Sequence, residues 1–303
     1  MIPRLFYRST DRSWWSWIGG VACSFVWVTA LRVAAEEDRT MPDKSRYDLF
    51  HPTPDAYRRE LSADRPDKTD SPFTVDAGHF QVEMDFANLT YNRPNAERGN
   101  VSYTDVQIAP TNLKVGLLNN VDLQLLYTSY RWERTNDRDL GTIERTSGFD
   151  DLIPRVKWNL VGNDGGFFAL ALMPFVKLPL RQEPLGNGSV EGEVAIPYAF
   201  DIPGWDVGLQ SAVHFDRNEG GRGSHAEIDN SVSIGHRLIG NLSVAAEFFS
   251  SVRFARGAGW MGTVDTWLTY QLSDDLRLDA GVYIGVTSAA DDWHPFVGMT
   301  WRF

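Results

Sequence analysis

Cysteine is nearly absent from this chain: Cys23 is the only one in 303 residues, and it lies in an apolar stretch close to the amino terminus. Once that stretch is removed, neither a disulfide framework nor a thiolate metal site can form. Basic charge is also in deficit, with 29 Lys and Arg against 40 Asp and Glu and a net charge of −11. No basic surface is available to neutralise phosphates, which argues against nucleic acid as a partner. The longest apolar run, residues 18 to 30, falls short of the roughly 18 residues that a membrane-crossing helix needs. Neither HExxH nor GxSxG occurs, so two common hydrolase signatures are missing. Aromatic residues and glycine, by contrast, are plentiful, with 17 Phe, 11 Trp, 10 Tyr and 26 Gly.

The first 35 residues read as a secretory signal. Arg4, Arg8 and Arg12 precede the uncharged stretch Ile18 to Ala30, and Val33-Ala34-Ala35 precedes the acidic Glu36-Glu37-Asp38. A positive start, an apolar centre and small residues before a polar stretch are the three parts of an export signal. Residues 36–78 are polar, contain several prolines and lack any period of two. Thr53-Pro54 predicts a short helix to about Leu61, with Thr53 as its cap and Pro54 in its first turn. Two readings of residues 36–78 stay open: the simpler is a periplasmic linker, the sharper a plug folded into the mouth of whatever follows.

From His79 onward nearly every stretch alternates. Phe80, Val82, Met84 and Phe86 oppose Gln81, Glu83 and Asp85; Leu113, Val115 and Leu117 oppose Asn112 and Lys114; Val156, Trp158 and Leu160 oppose Arg155, Lys157 and Asn159. A period of two is that of a β-strand with one apolar and one polar face. Asn119-Asn120, whose residue type tolerates positive φ, Asn163 to Gly166, Asp201 to Trp205, Gly240-Asn241 and Ser273 to Asp275 mark tight turns. Asn92 to Asn100, Arg134 to Ser147, Arg181 to Ser189 and Asp216 to Ser224 read as longer polar loops. The count is about twelve strands, most of roughly ten to thirteen residues, against the usual five or six in soluble sheets and the nine to eleven that cross a bilayer. An even number of long strands with alternating short and long connections predicts an all-β, transmembrane, antiparallel up-and-down β-barrel over residues 79–303, both termini periplasmic.

Alternation alone does not say which face is outside. The last strand helps: Val297, Met299, Trp301 and Phe303 fall on alternate positions, and the chain stops on the aromatic residue. This resembles the terminal strand of bacterial outer-membrane barrels, which the barrel-insertion machinery reads. Aromatic residues near strand ends, Tyr91, Trp158, Phe200, Trp205, Trp260, Trp293, Trp301 and Phe303, suit interfacial girdles facing outer-membrane lipid. The expected address is the outer membrane of a Gram-negative-type bacterium. By parity the lumen then receives Glu83, Asp85, Lys114, Asp122, Arg155, Lys157, Lys177, Glu191, Glu193, Glu227, Asp229, Glu247, Arg253, Asp265, Arg277 and Asp279. A lumen so charged either lines a narrow polar path or closes on itself through ion pairs.

Three stretches resemble a known family: Ala63 to Glu83, Gly148 to Trp158 (GFDDLIPRVKW) and Met173 to Pro179 (MPFVKLP). They are similar to the barrels labelled as the MetA pathway of phenol degradation, over roughly residues 63 to 303. That family is similar to the long-chain fatty-acid transporter barrels, so the resemblance implies passage of small hydrophobic or aromatic solutes across the outer membrane.

No catalytic or cofactor site is expected. His225, Glu227 and Asp229 share a strand face within reach of a cation, but solvated side chains explain them more simply, and the paired aspartates Asp150-Asp151 and Asp291-Asp292 stand in loops where calcium binding is possible but unforced. Ser250, Asn230 and His236 share the apolar parity, as in outer-membrane phospholipase. With the turn centred near Gly240-Asn241, Ser250 pairs close to Asn230 while His236 stands six residues away, roughly 20 Å at about 3.3 Å per residue. A nucleophile and its base need about 3 Å. The expected function is therefore a passive channel or transporter for small molecules; the alternative is a sealed structural or surface-interaction barrel.

Overall fold

The computed structural model describes residues 43–95, 99–180, 188–218, 223–254 and 259–303; the expected signal, residues 1–35, and most of the loop Arg181 to Ser189 lie outside these. Thirteen antiparallel strands follow the amino-terminal segment: β1 (Phe80–Asn92), β2 (Val101–Leu118), β3 (Val121–Asp137), β4 (Thr142–Gly148), β5 (Ile153–Val161), β6 (Phe168–Lys177), β7 (Glu191–Ile202), β8 (Trp205–Arg217), β9 (Ser224–Ile239), β10 (Leu242–Arg253), β11 (Trp260–Ser273), β12 (Leu276–Gly285) and β13 (Trp293–Arg302). Each pairs with its neighbour in sequence, β1 pairs with β13, and β3 reaches past β4 to pair with β5. Twelve strands thereby close a barrel, and β4 is an extra strand held only by β3.

Closure at β1–β13 runs from Gln81 opposite Arg302 to Tyr91 opposite Trp293. A bulge between Asp85 and Ala87 shifts the parity of β1, so Phe86, Leu89 and Tyr91 share the outer face. The connections β2–β3, β5–β6, β7–β8, β9–β10 and β11–β12 lie at one end with both ends of the barrel domain, Phe80 and Phe303. Pro203-Gly204 joins β7 to β8 with Gly204 at φ 83°, a conformation that favours glycine.

Burial is inverted relative to a soluble protein. Most buried side chains are polar or charged, while Phe86, Leu123, Leu160, Ile234, Val264, Leu268 and Val297 stand exposed around the wall. A soluble chain would hide that belt; a bilayer covers it, and closure leaves no unpaired backbone edge in lipid. The chain is thus an all-β barrel of the outer-membrane type. Trp205, Trp301 and Phe303 face outward at the short-turn end, and Tyr91, Trp260 and Trp293 at the other. Phe303 stacks on Phe80, centroids 5.9 Å apart, and lies 4.9 Å from Trp301, so the last residue is fixed to the first strand. Val297, Trp301 and Phe303 are exposed and Met299 half-buried, while Gly298, Thr300 and Arg302 turn inward.

Three local expectations need correction. Arg134 to Ser147 is not a loop but the projecting end of β3 paired with β4, from Arg131 opposite Gly148 to Asp137 opposite Thr142. Both faces of this hairpin are largely solvated, so selection for an apolar face is absent and the period of two is silent. The helix expected from Thr53 to Leu61 is only a 3-10 turn at Asp55–Tyr57; the chain beyond is held extended by contacts to the wall. The Asn119-Asn120 turn closes without positive φ at either residue.

Candidate functional site: a charged segment across the lumen

Residues 43–78 enter the barrel, which corrects the simpler expectation of a periplasmic linker. At the short-turn end the Leu49 amide donates to the Leu117 carbonyl, and Ala77 bridges Gly116. Gly116 is required here, because a Cβ would collide with the backbone of Val75 and Asp76. Arg59 donates through Nε to Asp164 Oδ1 at 2.9 Å and through Nη2 to the Asn119 carbonyl at 2.8 Å. Arg58 forms a two-pronged pair with Asp275 at 3.0 and 3.2 Å, and Arg302 meets the same carboxylate at 2.8 Å.

Burial pushes the Asp164 carboxyl upward, but Arg59 and hydrogen bonds from Lys44 and Asn119 outweigh it and hold the group below its ordinary range. At Asp275 burial is likewise outweighed, by Arg302 and Arg58. Both lie in turns, so these charges clamp the segment to one end of the barrel.

From Asp64 to Asp70 the segment crosses the interior, and the lumen charges expected from parity converge on it. Asp64 receives Lys114 at 2.5 Å, Arg155 at 3.0 Å and Lys157. Glu83 pairs with Lys114 and accepts the Asp64 amide at 3.2 Å. Arg155 also reaches Asp70 at 3.0 Å, and Asp122 accepts the Val75 amide at 3.0 Å. Arg65 bridges Asp85 at 2.5 Å and Asp279 at 2.7 Å, while Arg277 donates to its carbonyl at 3.1 Å. Lys68 reaches Asp265 at 3.0 Å, and Glu247 accepts the amides of Lys68 and Thr69 at 3.0 and 2.8 Å. Gly298 leaves the space into which Arg65 fits.

The remaining candidates gather nearer the long connections, away from the segment. Lys177 pairs with Glu191 and stands 3.7 Å from Asp151. Glu193 and Asp229 grip His214 at 2.7 and 2.8 Å. Glu227 meets Arg253 at 3.1 Å and accepts from Ser251; Arg253 itself is largely exposed.

Where the partner lies in the segment, sequence reasoning missed it. Asp64, Arg65, Lys68, Thr69 and Asp70 were not assigned to the lumen; the signal that reached them was the family resemblance, which begins at Ala63. His214, facing two carboxylates from β7 and β9, also went unassigned.

Residues 64–70 stand between two cavities. One, about 640 Å³, opens toward the long connections and is lined by Tyr127, Arg131, Asp150, Lys177 and Tyr283 with the upper face of the segment. The other, about 780 Å³, lies toward the short turns against Gln81, Asn163, Ser233, Gln271 and Arg302. Each is large enough for a small organic molecule. The serine–histidine–asparagine combination does not assemble: Ser250 is opposite Asn230, while His236 is opposite Val244 and hydrogen-bonded to the Gly204 carbonyl at 2.6 Å.

Comparison with known proteins agrees with this architecture. Residues 63–303 match the family described as "Putative MetA-pathway of phenol degradation". Among solved structures, an outer membrane channel from Pseudomonas putida F1 superposes with a TM-score of 0.54 at 11% identity, covering 74% of this chain and 93% of that one. The NanC porin gives a TM-score of 0.46 at 9% identity over 73% and 100% of the two chains. The transport unit of the autotransporter AIDA-I from Escherichia coli gives 0.44 at 10% over 74% and 90%. Of these three the first exceeds 0.5, and at that identity it speaks for the fold. Comparison with curated proteins returns no match.

Proposed function

The chain belongs to this phenol-degradation family of barrels, and on that premise we propose that it is a gated outer-membrane channel passing small amphipathic aromatic molecules passively between its two cavities. The architecture is that of a porin-like barrel and is consistent with transport. The observation that carries the reading is the way residues 64–70 are held: by ion pairs and hydrogen bonds to the wall, not by an apolar core. Water and counter-ions can replace such contacts where they cannot replace an apolar core, so the segment can leave without unfolding the barrel, although each buried charge left without its partner costs about 3–5 kcal/mol. The cavity toward the long connections mixes Tyr127, Tyr283, Leu126 and Ile153 with Arg131, Arg155 and several carboxylates, a lining suited to a ring bearing one polar group.

A second reading rests on the same segment. If it never moves, the barrel is sealed and works as a scaffold or an interaction surface, with the β3–β4 hairpin projecting from it. Planar-bilayer recording and liposome uptake of a phenolic solute separate the two. Gated conduction and uptake support the channel; a folded barrel that neither conducts nor takes up solute, even with the segment's ion pairs removed, supports the sealed one.

A further inference from the structure

At the long-connection rim of the lumen, β8 and β9 bring together three groups that the channel reading does not use. Asp216 on β8 stands directly opposite His225 on β9, and Glu227 follows His225 by two residues on the same face. One donor atom from each lies within 4.8 Å of the others, and His225 Nε2 is 3.9 Å from Glu227 Oε2.

The state of His225 sets this cluster apart from solvated acids. Its side chain is only 7% exposed, and among the described residues Nε2 has no hydrogen-bond partner. Its other ring nitrogen, Nδ1, lies 2.9 Å from the side-chain oxygen of Asn218. An amide oxygen only accepts, so Nδ1 carries the hydrogen of that contact, and Nε2 is left on the side of the Glu227 carboxylate. A buried imidazole nitrogen beside carboxylate oxygens, with the ring oriented from behind by a side-chain oxygen, is the arrangement of a metal-ligating histidine.

We propose that Asp216, His225 and Glu227 form a binding site for a divalent transition-metal ion of the zinc type at the rim of the lumen. One imidazole and two carboxylates match that ion, with ligand bonds of about 2.0–2.2 Å, better than calcium, which takes six to eight oxygens. Tetrahedral ligation brings donor atoms to roughly 3.4 Å from one another, so the rim closes by about an ångström from the observed spacing. Ser251 fixes the second oxygen of Glu227, and Arg253, exposed on the near side, turns from Glu227 toward solvent as the ion enters. The ion ties β8 to β9 and leaves a coordination position open toward the lumen. This departs from the sequence-based expectation of no metal, which grouped His225 and Glu227 with Asp229. In the structure Asp229 belongs to His214, and Asp216 takes its place.

The test is calorimetric titration of the untagged, detergent-folded chain with zinc chloride, with cobalt absorption spectra on the same samples. The expected result is one zinc per barrel and cobalt d–d bands stronger than those of the hydrated ion. His225→Ala abolishes both, Asp216→Asn weakens zinc binding by about tenfold or more, and Asn218→Ala, which removes the amide oxygen behind the ring, weakens it by about tenfold. His51→Ala, an exposed histidine elsewhere, leaves binding unchanged. Electrophoretic mobility of unheated against boiled samples shows which variants are folded. Should His225→Ala not fold, Asp216→Asn and Asn218→Ala carry the comparison. No stoichiometric uptake by the folded wild-type chain, or uptake indifferent to folded His225, Asp216 and Asn218 variants, overturns the proposal.

Discussion

Asp64→Asn tests the hold of the segment most directly. The substitution keeps size and shape and removes one charge at a site only 3% exposed in its side chain, where Lys114, Arg155 and Lys157 converge. Lys114 keeps Glu83 and Arg155 keeps Asp70, but Lys157 loses its only ion pair among the described residues while staying fully buried. Stripping the partner from a buried charge costs about 3–5 kcal/mol; with two of the three cations still paired, the lower end applies. About 3 kcal/mol corresponds to roughly a hundredfold in the balance between seated and released segment. Protease digestion of the folded barrel reads that balance when reclosure outpaces cleavage, since the rate then follows the open population. The expected result is cleavage within residues 59–75 about a hundred times faster than in wild type, with the cold electrophoretic form of the barrel unchanged and open events in bilayer recordings more frequent. Wild-type protease resistance and wild-type conductance in a folded Asp64→Asn barrel would refute the reasoning, because the charge cluster would then not be what holds the segment.

Three further outcomes follow from the wall and its clamps. Asp164 and Asp275 titrate below their ordinary range, so their contribution is complete above the unfolded carboxylate value and fades as pH falls through and below about 4; the segment should become protease-sensitive in acid before the barrel unfolds, and Asp275→Asn should remove part of that dependence. Leu268→Arg, on the lipid face near the middle of β11, should destabilise the barrel in vesicles by about 2–4 kcal/mol in a denaturant titration, whereas Leu268→Val should change it little. Phe303→Ala removes the ring stacked on Phe80 and should lower the yield of heat-modifiable barrel in membranes relative to total protein, as measured by the same cold and boiled gel.

Much of the wall was legible because lipid on one side and charge on the other impose a strict alternation, and every lumen candidate from Glu83 to Asp279 came from that rule alone. The tight turns were legible from Asn, Asp and Gly between alternating stretches. What alternation could not show is anything without two unlike faces. The hairpin of β3 and β4 is solvated on both sides, so its sequence read as a loop. The segment 43–78 has no period because its form is set by partners far away in sequence: Asp64 by Lys157, Arg65 by Asp279, Lys68 by Asp265. Parity gave the charges on the wall but not their counterparts on the segment, and so could not distinguish a lumen that is lined from one that is filled. His225 illustrates the same limit, since only the pairing of β8 with β9 brings Asp216 opposite it.

The contacts of residues 64–70 reach β1 and β2 at one end of the chain and β11 and β12 near the other. No partial barrel offers that set of partners together; the seat exists only after β13 has met β1. The stretch that leaves the ribosome before the whole wall is therefore the one that settles after it. Its arrival reports that the ring is complete, and a barrel mispaired by one strand would have no place to put it.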